Sequence, residues 1–509
     1  MPRRSLRITA RVFPWVALRR GMQYGVLSLF LALLVAARRG GWPPEWVNVP
    51  LRLDPLVILA HTLADRALPA GWVLVLILLL LTLALGRAWC GWLCPMGTLL
   101  GLFRPRSRPS QWPETWRRVK HLLWLTLLLA ALLGNLTLLV LDPLTVLIRT
   151  FSTAVWPAAD QVITAAERTA YRIPWLRSPV EWVDRLLRPA VLPTLAVSYR
   201  AAWLYALVLV AILALNWRVP YFWCRYLCPL GGFLGLISKG AVIRREVTAA
   251  CNRCGLCANR CPTGTIRADR QYASDSAECT MCMECWEVCP QRAVRFSAHL
   301  RPASWETYDP RRRDVLLALG IAVLGVGILR RDPATRRRSV IYPPGARGND
   351  LAVKCVRCGL CARACPTGAI QPALGEAGPE GLWVPVLMPR LGYCEYSCHA
   401  CGQVCPVQAI PPMSLEEKQR WVIGVAVIDR NRCIPWSSNR PCIVCEEMCP
   451  VPEKAIVLEE TTVTDASGRS FPLLRPRVVQ ERCIGCGTCE YKCPVSGEAA
   501  IRVQAVPNL

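Results

Sequence analysis

Histidine is nearly missing from this chain: four in 509 residues. That scarcity weighs against structural zinc, whose sites draw on histidines or on separated Cys-x2-Cys pairs. Acidic side chains are also few, 35 Asp and Glu against 61 Lys and Arg, which leaves a formal net charge of +26. No nucleic-acid recognition motif accompanies this basicity, and the Lys and Arg flank apolar runs rather than forming one stripe, so nucleic acid is excluded as the partner. Covalent haem would need Cys-x2-Cys-His, which is absent, although Cys398-His399 occurs. No signalling module is present, and nothing resembles a substrate-reducing centre.

Cysteine is what the chain has in excess. Of its 28 cysteines, 24 fall in six runs of three closely spaced thiols followed by a fourth next to proline. Four runs share one spacing: Cys251, Cys254, Cys257, Cys261; Cys279, Cys282, Cys285, Cys289; Cys355, Cys358, Cys361, Cys365; and Cys483, Cys486, Cys489, Cys493. Two have stretched openings: Cys394, Cys398, Cys401, Cys405 and Cys433, Cys442, Cys445, Cys449. This is the bacterial ferredoxin spacing, in which three thiolates clasp one 4Fe–4S cube and the fourth ligates its neighbour. Six motifs predict six cubes, a wire for single electrons.

In the first pair, Cys251, Cys254 and Cys257 should combine with Cys289, and Cys279, Cys282 and Cys285 with Cys261. For the other four motifs a nested pairing is expected, first with fourth and second with third; sequential pairing is the alternative. The remaining cysteines form Cys90-x3-Cys94-Pro95 and Cys224-x3-Cys228-Pro229. Four thiolates from two helix ends suit a seventh cube or a metal ion, with a disulfide as the bland alternative. The Pro and Gly after each pair are expected to end a helix there.

The hydrophobic fraction is 53%. Four runs approach the ~17–25 apolar residues of a membrane span: 21–37, 70–86, 121–141 and 201–217. Arg3, Arg4, Arg7, Arg11, Arg19 and Arg20 precede the first, and Arg104, Arg106, Arg108, Arg117, Arg118 and Lys120 lie between the second and third. By the positive-inside rule both segments face the cytoplasm. A cleavable leader is not expected, because further spans follow. The spans form two similar hairpins, each with Leu-Asp-Pro-Leu (Asp54, Asp142) in its connection and Cys-x3-Cys-Pro after its second run. A pseudo-two-fold would bring both cysteine pairs together.

Asp54 and Asp142 are candidate proton acceptors for a quinol; the plainer reading is that each caps a helix. His61 and His121 stay unassigned. A fifth, fifteen-residue apolar run, 315–329, follows Arg312-Arg313-Asp314-Val315-Leu316, a stretch similar to a twin-arginine export signal. The alternatives are a short anchor or a buried helix that keeps the last domain cytoplasmic. The expected architecture is an α-helical membrane domain (1–240), a two-cluster domain (241–300), a linker with the short apolar segment (301–345) and a four-cluster α+β domain (346–509).

On these motifs, residues 1 to about 300 resemble NapH-type membrane ferredoxins, and residues from about 311 resemble NapG- and MauM-type four-cluster ferredoxins, including Pro343-Pro344-Gly345-Ala346. The resemblance implies quinol as electron donor, an inner-membrane location with the two-cluster domain cytoplasmic and the four-cluster domain periplasmic, and a c-type cytochrome or terminal reductase as acceptor. The rival expectation is a cytoplasm-facing accessory protein that supplies electrons for the maturation of a redox enzyme.

Overall fold

Proline dictates how the apolar half folds. Pro55, Pro95, Pro143 and Pro229 each open a helix, where the missing N–H is no loss and the fixed φ suits the first turn. At the Cys-Pro steps one helix ends, at Trp92 and at Leu227, as expected, and the proline then opens the next. The computed structural model describes residues 14–37, 43–69, 71–105, 112–190, 197–299, 312–330, 340–464 and 468–506. The expected positive-inside residues Arg3, Arg4, Arg7, Arg11, Arg106 and Arg108 lie outside them.

The principal helices of the first half are α1 (Trp15–Ala36), α2 (Pro55–Asp65), α3 (Trp72–Leu85), α4 (Ala88–Trp92), α5 (Pro95–Leu102), α6 (Arg117–Leu132), α7 (Pro143–Thr150), α8 (Trp156–Ala170), α9 (Arg177–Ala190), α10 (Ala202–Arg218) and α11 (Pro229–Ser238). Among the described residues, only α1, with 22 residues, is by itself long and apolar enough to cross a membrane. The expectation of four full spans is corrected: α3, α6 and α10 have 14, 16 and 17 residues, about 21–26 Å at 1.5 Å per residue. Gly134, in the left-handed region at φ 76°, stops α6. Asp-Pro and Cys-Pro then restart short helices inside the same apolar layer.

The first ferredoxin unit is closed by β1 (Ile243–Val247) pairing antiparallel with β2 (Val294–Ala298). Next, α12 (Arg312–Leu329) lies along α6 and buries Ala318, Ala322 and Val326. These positions, spaced four apart, form one small-residue stripe against Leu129 and Ala130. Arg330 then donates to the Leu133 carbonyl at 2.6 Å, so α12 runs parallel to α6. The second unit carries three antiparallel ribbons: β3 (Ile370–Pro372) with β4 (Pro385–Leu387), β5 (Val425–Ile428) with β8 (Ile501–Gln504), and β6 (Ile456–Thr464) with β7 (Ser470–Val478). The insert 371–393 thus builds the β3–β4 hairpin.

The two units occupy opposite ends of the helical layer. Near the start of α1, Arg19 binds Glu284 at 3.1 Å; near its end, the Leu34 carbonyl accepts from Arg363 at 2.9 Å. Residues 19 and 34 are 15 apart, about 22 Å along a helix. The first unit is locked by Glu278, buried among Lys120 (2.5 Å), Arg87 (3.2 Å) and Arg117 (3.7 Å). Burial pushes the Glu278 carboxyl up, but the charges of Lys120, Arg117 and Arg87 outweigh it and hold it down at about 2.

Removing one partner from such a buried cluster leaves uncompensated charge and costs roughly 3–5 kcal/mol. Glu278→Gln therefore lowers the thermal unfolding midpoint of the full chain in detergent. Asp269→Asn, at an exposed pair with Arg267, leaves that midpoint in place.

Candidate metal centres

The four regular motifs fold their cysteine loops alike. Arg253 and Gly255, Met281 and Met283, Arg357 and Gly359, and Gly485 and Gly487 all sit at positive φ, between 52° and 81°. Each pair brackets the middle cysteine. Non-glycine residues hold that conformation only where the surroundings over-determine it. The resulting turns aim successive N–H groups inward, the concave nest that holds anions and Fe–S centres. Accordingly, Arg357 N–H reaches Cys355 Sγ at 3.3 Å. Of the stretched motifs, 394–401 shows no positive φ between its first and third thiols, and 433–445 shows it only at Asn439, φ 51°, away from the middle cysteine.

Cavities report which cysteines share a cage. One is lined by Cys355, Cys358, Cys361 and Cys405. Another is lined by Cys433, Cys442, Cys445 and Cys493, and a third by Cys449, Cys483, Cys486 and Cys489. Cys365 interacts electrostatically with Cys394, Cys398 and Cys401. The nested pairing is thereby corrected to sequential, first with second and third with fourth. The reason is β5–β8 pairing, which folds the last motif back on the third. In the first unit, Cys289 bears on Cys257, and Cys261 on Cys279, Cys282 and Cys285, as expected.

Burial pushes the Cys355 thiol up to about 11 and Cys445 up to about 12. Such thiols stay neutral until a cation replaces the proton. Among the described residues, no three His, Cys, Asp or Glu side chains converge as for a single ion.

The hairpin repeat brings Cys90, Cys94, Cys224 and Cys228 within electrostatic reach of one another. Cys94 and Cys228 precede the first turns of α5 and α11; Gly231 N–H donates to Cys228 Sγ at 3.2 Å. Helix N-termini favour negative charge there. On one side, Gly91 packs so closely on the Thr280 carbonyl that a methyl would collide with it. Trp92 Nε1 also donates to the Met281 carbonyl at 2.8 Å. This site therefore adjoins the cage of Cys279, Cys282, Cys285 and Cys261.

On the other side lie Asp54 and Asp142. Both cap helices, as the plainer reading held: Asp54 accepts from Leu56 and Val57 N–H at 2.9 and 3.2 Å, and Asp142 from Leu144 and Thr145 N–H at 3.0 Å. Each keeps a second, buried oxygen without a donor. The two carboxyls also lie close enough to share a hydrogen bond, which forms only when one carries a proton. From them α2 and α7 run to the second unit: Lys354 pairs with Asp65 at 3.2 Å, and Arg149 donates to the Arg357 carbonyl at 2.9 Å.

Further along, Cys394 N–H donates to the Cys486 carbonyl at 2.8 Å, and Cys489 feels Cys445. The cages therefore follow one another in a single file, ending at Cys433, Cys442, Cys445 and Cys493. His61 meets the Lys354 carbonyl at 3.2 Å, and His121 lies by Trp124. His399 binds the Met413 carbonyl at 2.8 Å. Buried Arg149, Arg357 and Arg363 went unrecognised in the sequence. Their signal was proximity to motif cysteines or to an Asp-Pro helix. Arg19, Arg104, Arg117 and Lys120, counted only as flanking charge, are docking residues.

A 4Fe–4S binding domain model matches residues 67–113 and 200–248, and 4Fe–4S dicluster domain models match 243–290 and 354–409. A further 4Fe–4S binding domain model matches 476–496. The methylamine utilization ferredoxin-type protein MauM of Methylorubrum extorquens is 34% identical over 210 residues, 38% of this chain and 89% of that protein. MauM of Paracoccus denitrificans is 35% identical over 200 residues, covering 37% and 84%. The ferredoxin-type protein NapG of Escherichia coli is 35% identical over 197 residues, covering 38% and 82%. No solved structure matches.

Sequential pairing makes a stoichiometric prediction. The double variant Cys355→Ser with Cys405→Ser loses one cube, about four iron atoms, because both residues serve one cage. Nested pairing would place them in two cages and cost about eight. Iron and acid-labile sulfide assays decide.

Proposed function

The chain belongs to the family of MauM- and NapG-type ferredoxin proteins, and from that premise we propose that it is a membrane-bound relay that moves single electrons through seven 4Fe–4S clusters. Six clusters use the ferredoxin cysteines, and Cys90, Cys94, Cys224 and Cys228 hold the seventh. The observation that carries this reading is the position of that fourfold cysteine site, next to the first unit and between it and the second. Without it, about 22 Å of apolar helix would separate the two units. With it, the remaining gap is on the scale of α7, whose eight residues span about 12 Å. Each bound cluster supplies reversible one-electron chemistry.

Membrane residence is supported by a belt of exposed apolar side chains on α1, α3, α10 and α12, including Leu29, Leu80, Leu207, Val210, Leu316 and Leu324. Trp203 and Trp217 stand at the two ends of α10, as interfacial aromatics do. The short helices suit a broken-helix layer in which irregular backbone is buried in protein. In this reading the first unit faces the cytoplasm, the likeness of residues 1–300 to NapH-type proteins holds, and the second unit is periplasmic. The helix α12 then carries the chain across, so its twin arginines need not act as a cleaved signal.

Quinol is the donor favoured by the facing carboxyls, because Asp54 and Asp142 offer a buried place for a released proton. The acceptor is a c-type cytochrome or a terminal reductase. The rival, a cytoplasmic accessory ferredoxin, is disfavoured by the attachment of the two units at opposite ends of α1.

The test uses oriented vesicles of the full chain with dithionite, which does not permeate, added outside. Clusters on both faces bleach in the wild type. With Cys224→Ser and Cys228→Ser, only those on the exposed face bleach, and total iron falls from about 28 to about 24 atoms per chain. Bleaching across the membrane without the fourfold site sinks the relay.

A further inference from the structure

The stretched opening Cys433-x8-Cys442 has no explanation in ligation, since the regular motifs manage with two residues between first and second thiol. Its extra residues build a short helix, Ile434–Ser437, and an exposed loop, residues 437–441. On that helix Trp436 is held between two guanidinium groups, Arg430 at 4.2 Å and Arg475 at 4.7 Å from its ring centroid. The indole N–H donates to the Pro476 carbonyl at 3.3 Å, and Arg475 is tied to Asn439 at 3.0 Å. The insertion is therefore pinned to β7 as a rigid platform beside the last cage of the file.

The electrostatics of this platform are one-sided. Among the described residues, Arg430, Arg432, Arg440 and Arg475 have no carboxylate within ion-pair distance. Neighbouring acids are mostly taken: Glu446 by Lys454 at 2.6 Å, Asp429 by Arg502 at 3.8 Å, and Glu459, opposite Arg475 on β6, by Arg477 at 2.5 Å; Glu460, opposite Leu474, is exposed and has no ion pair among the described residues. Glu447 is exposed and has no ion pair. Ile443, next to Cys442 at the end of the insertion, stands 45% exposed, although this unit lies beyond the helical layer. Apolar contacts within an arginine-rich rim are the anatomy of a protein interface, and the charge steers an oppositely charged partner.

Resting on the relay reading, we infer that the Cys433–Cys442 insertion is the docking platform where the relay exchanges electrons with a soluble, acidic one-electron carrier protein. The exchange is a bare electron transfer. The terminal cluster loses one electron, the oxidised carrier gains it, and no bond or proton changes hands. Arg430, Arg432 and Arg440 steer the carrier, and Trp436 fixes the platform at the cage.

The experiment uses the full chain in detergent with an acidic plant-type ferredoxin as probe and basic cytochrome c as its opposite. Binding of the oxidised ferredoxin to the immobilised chain, without reductant, is read at rising salt. The wild type binds ferredoxin in preference to cytochrome c, and binding weakens with salt. Arg430→Glu with Arg440→Glu slows association about tenfold, while Arg430→Lys with Arg440→Lys retains it and iron content is unchanged in both. Equal binding by the charge-reversed variant, preference for cytochrome c, or capture of anionic lipid vesicles in place of ferredoxin overturns the platform. If ferredoxin binds as stated but dithionite bleaching fails to cross the membrane, the relay falls and the docking face stands.

Discussion

Electron transfer between buried centres tolerates little distance, and the lending of a fourth cysteine to a neighbouring cage meets that constraint. Cys261 and Cys289 tie two cages into one unit, Cys365 and Cys405 a second pair, and Cys449 and Cys493 a third. In each pair, chain connectivity itself holds the cages adjacent. The same pattern also substitutes metal ligation for hydrophobic core, which explains why the described residues of these units form two-stranded ribbons and helices of no more than about two turns.

Between the units a different physics operates. An apolar layer offers no water to satisfy broken backbone, so any interruption must be capped internally. Asp54, Asp142, Cys94 and Cys228 stand at the starts of helices, and three of them are shown accepting N–H groups from the first turn. Capping and function thus draw on the same atoms. The carboxylates that start α2 and α7 face each other, and the thiols that start α5 and α11 meet across the repeat. Charged docking completes the arrangement: Glu278 and Glu284 from the first unit each reach buried basic residues of the layer. Buried pairs of this kind fix position more than they add stability.

Ligand identity, the hairpin repeat and the existence of two ferredoxin units were legible in the residues. Cysteine spacing is set by the geometry of a rigid inorganic core, so a local pattern suffices. The Asp-Pro steps were legible as caps because Pro at the first helical position and Asp before it satisfy local backbone needs. Helix length was misjudged, because hydropathy averages over a run and cannot see that Gly134 or a Cys-Pro step ends one helix and begins another. For residues 312–329 the sequence left export, anchor and buried helix all open, because the Ala318, Ala322 and Val326 stripe has meaning only against α6.

By itself, the sequence determined the chemistry, since thiol number and spacing depend only on neighbours a few residues apart. Tertiary structure alone decided who shares a cage, because Cys405 and Cys493 reach their partners through β-ribbon pairing and chain reversal over tens of residues. It also decided that Cys90, Cys94, Cys224 and Cys228 adjoin Thr280 on one side and Asp142 on the other. Such adjacency arises from packing between segments far apart in the chain, Gly91 with Thr280 and Cys228 with Asp142, and no local pattern of side chains encodes it.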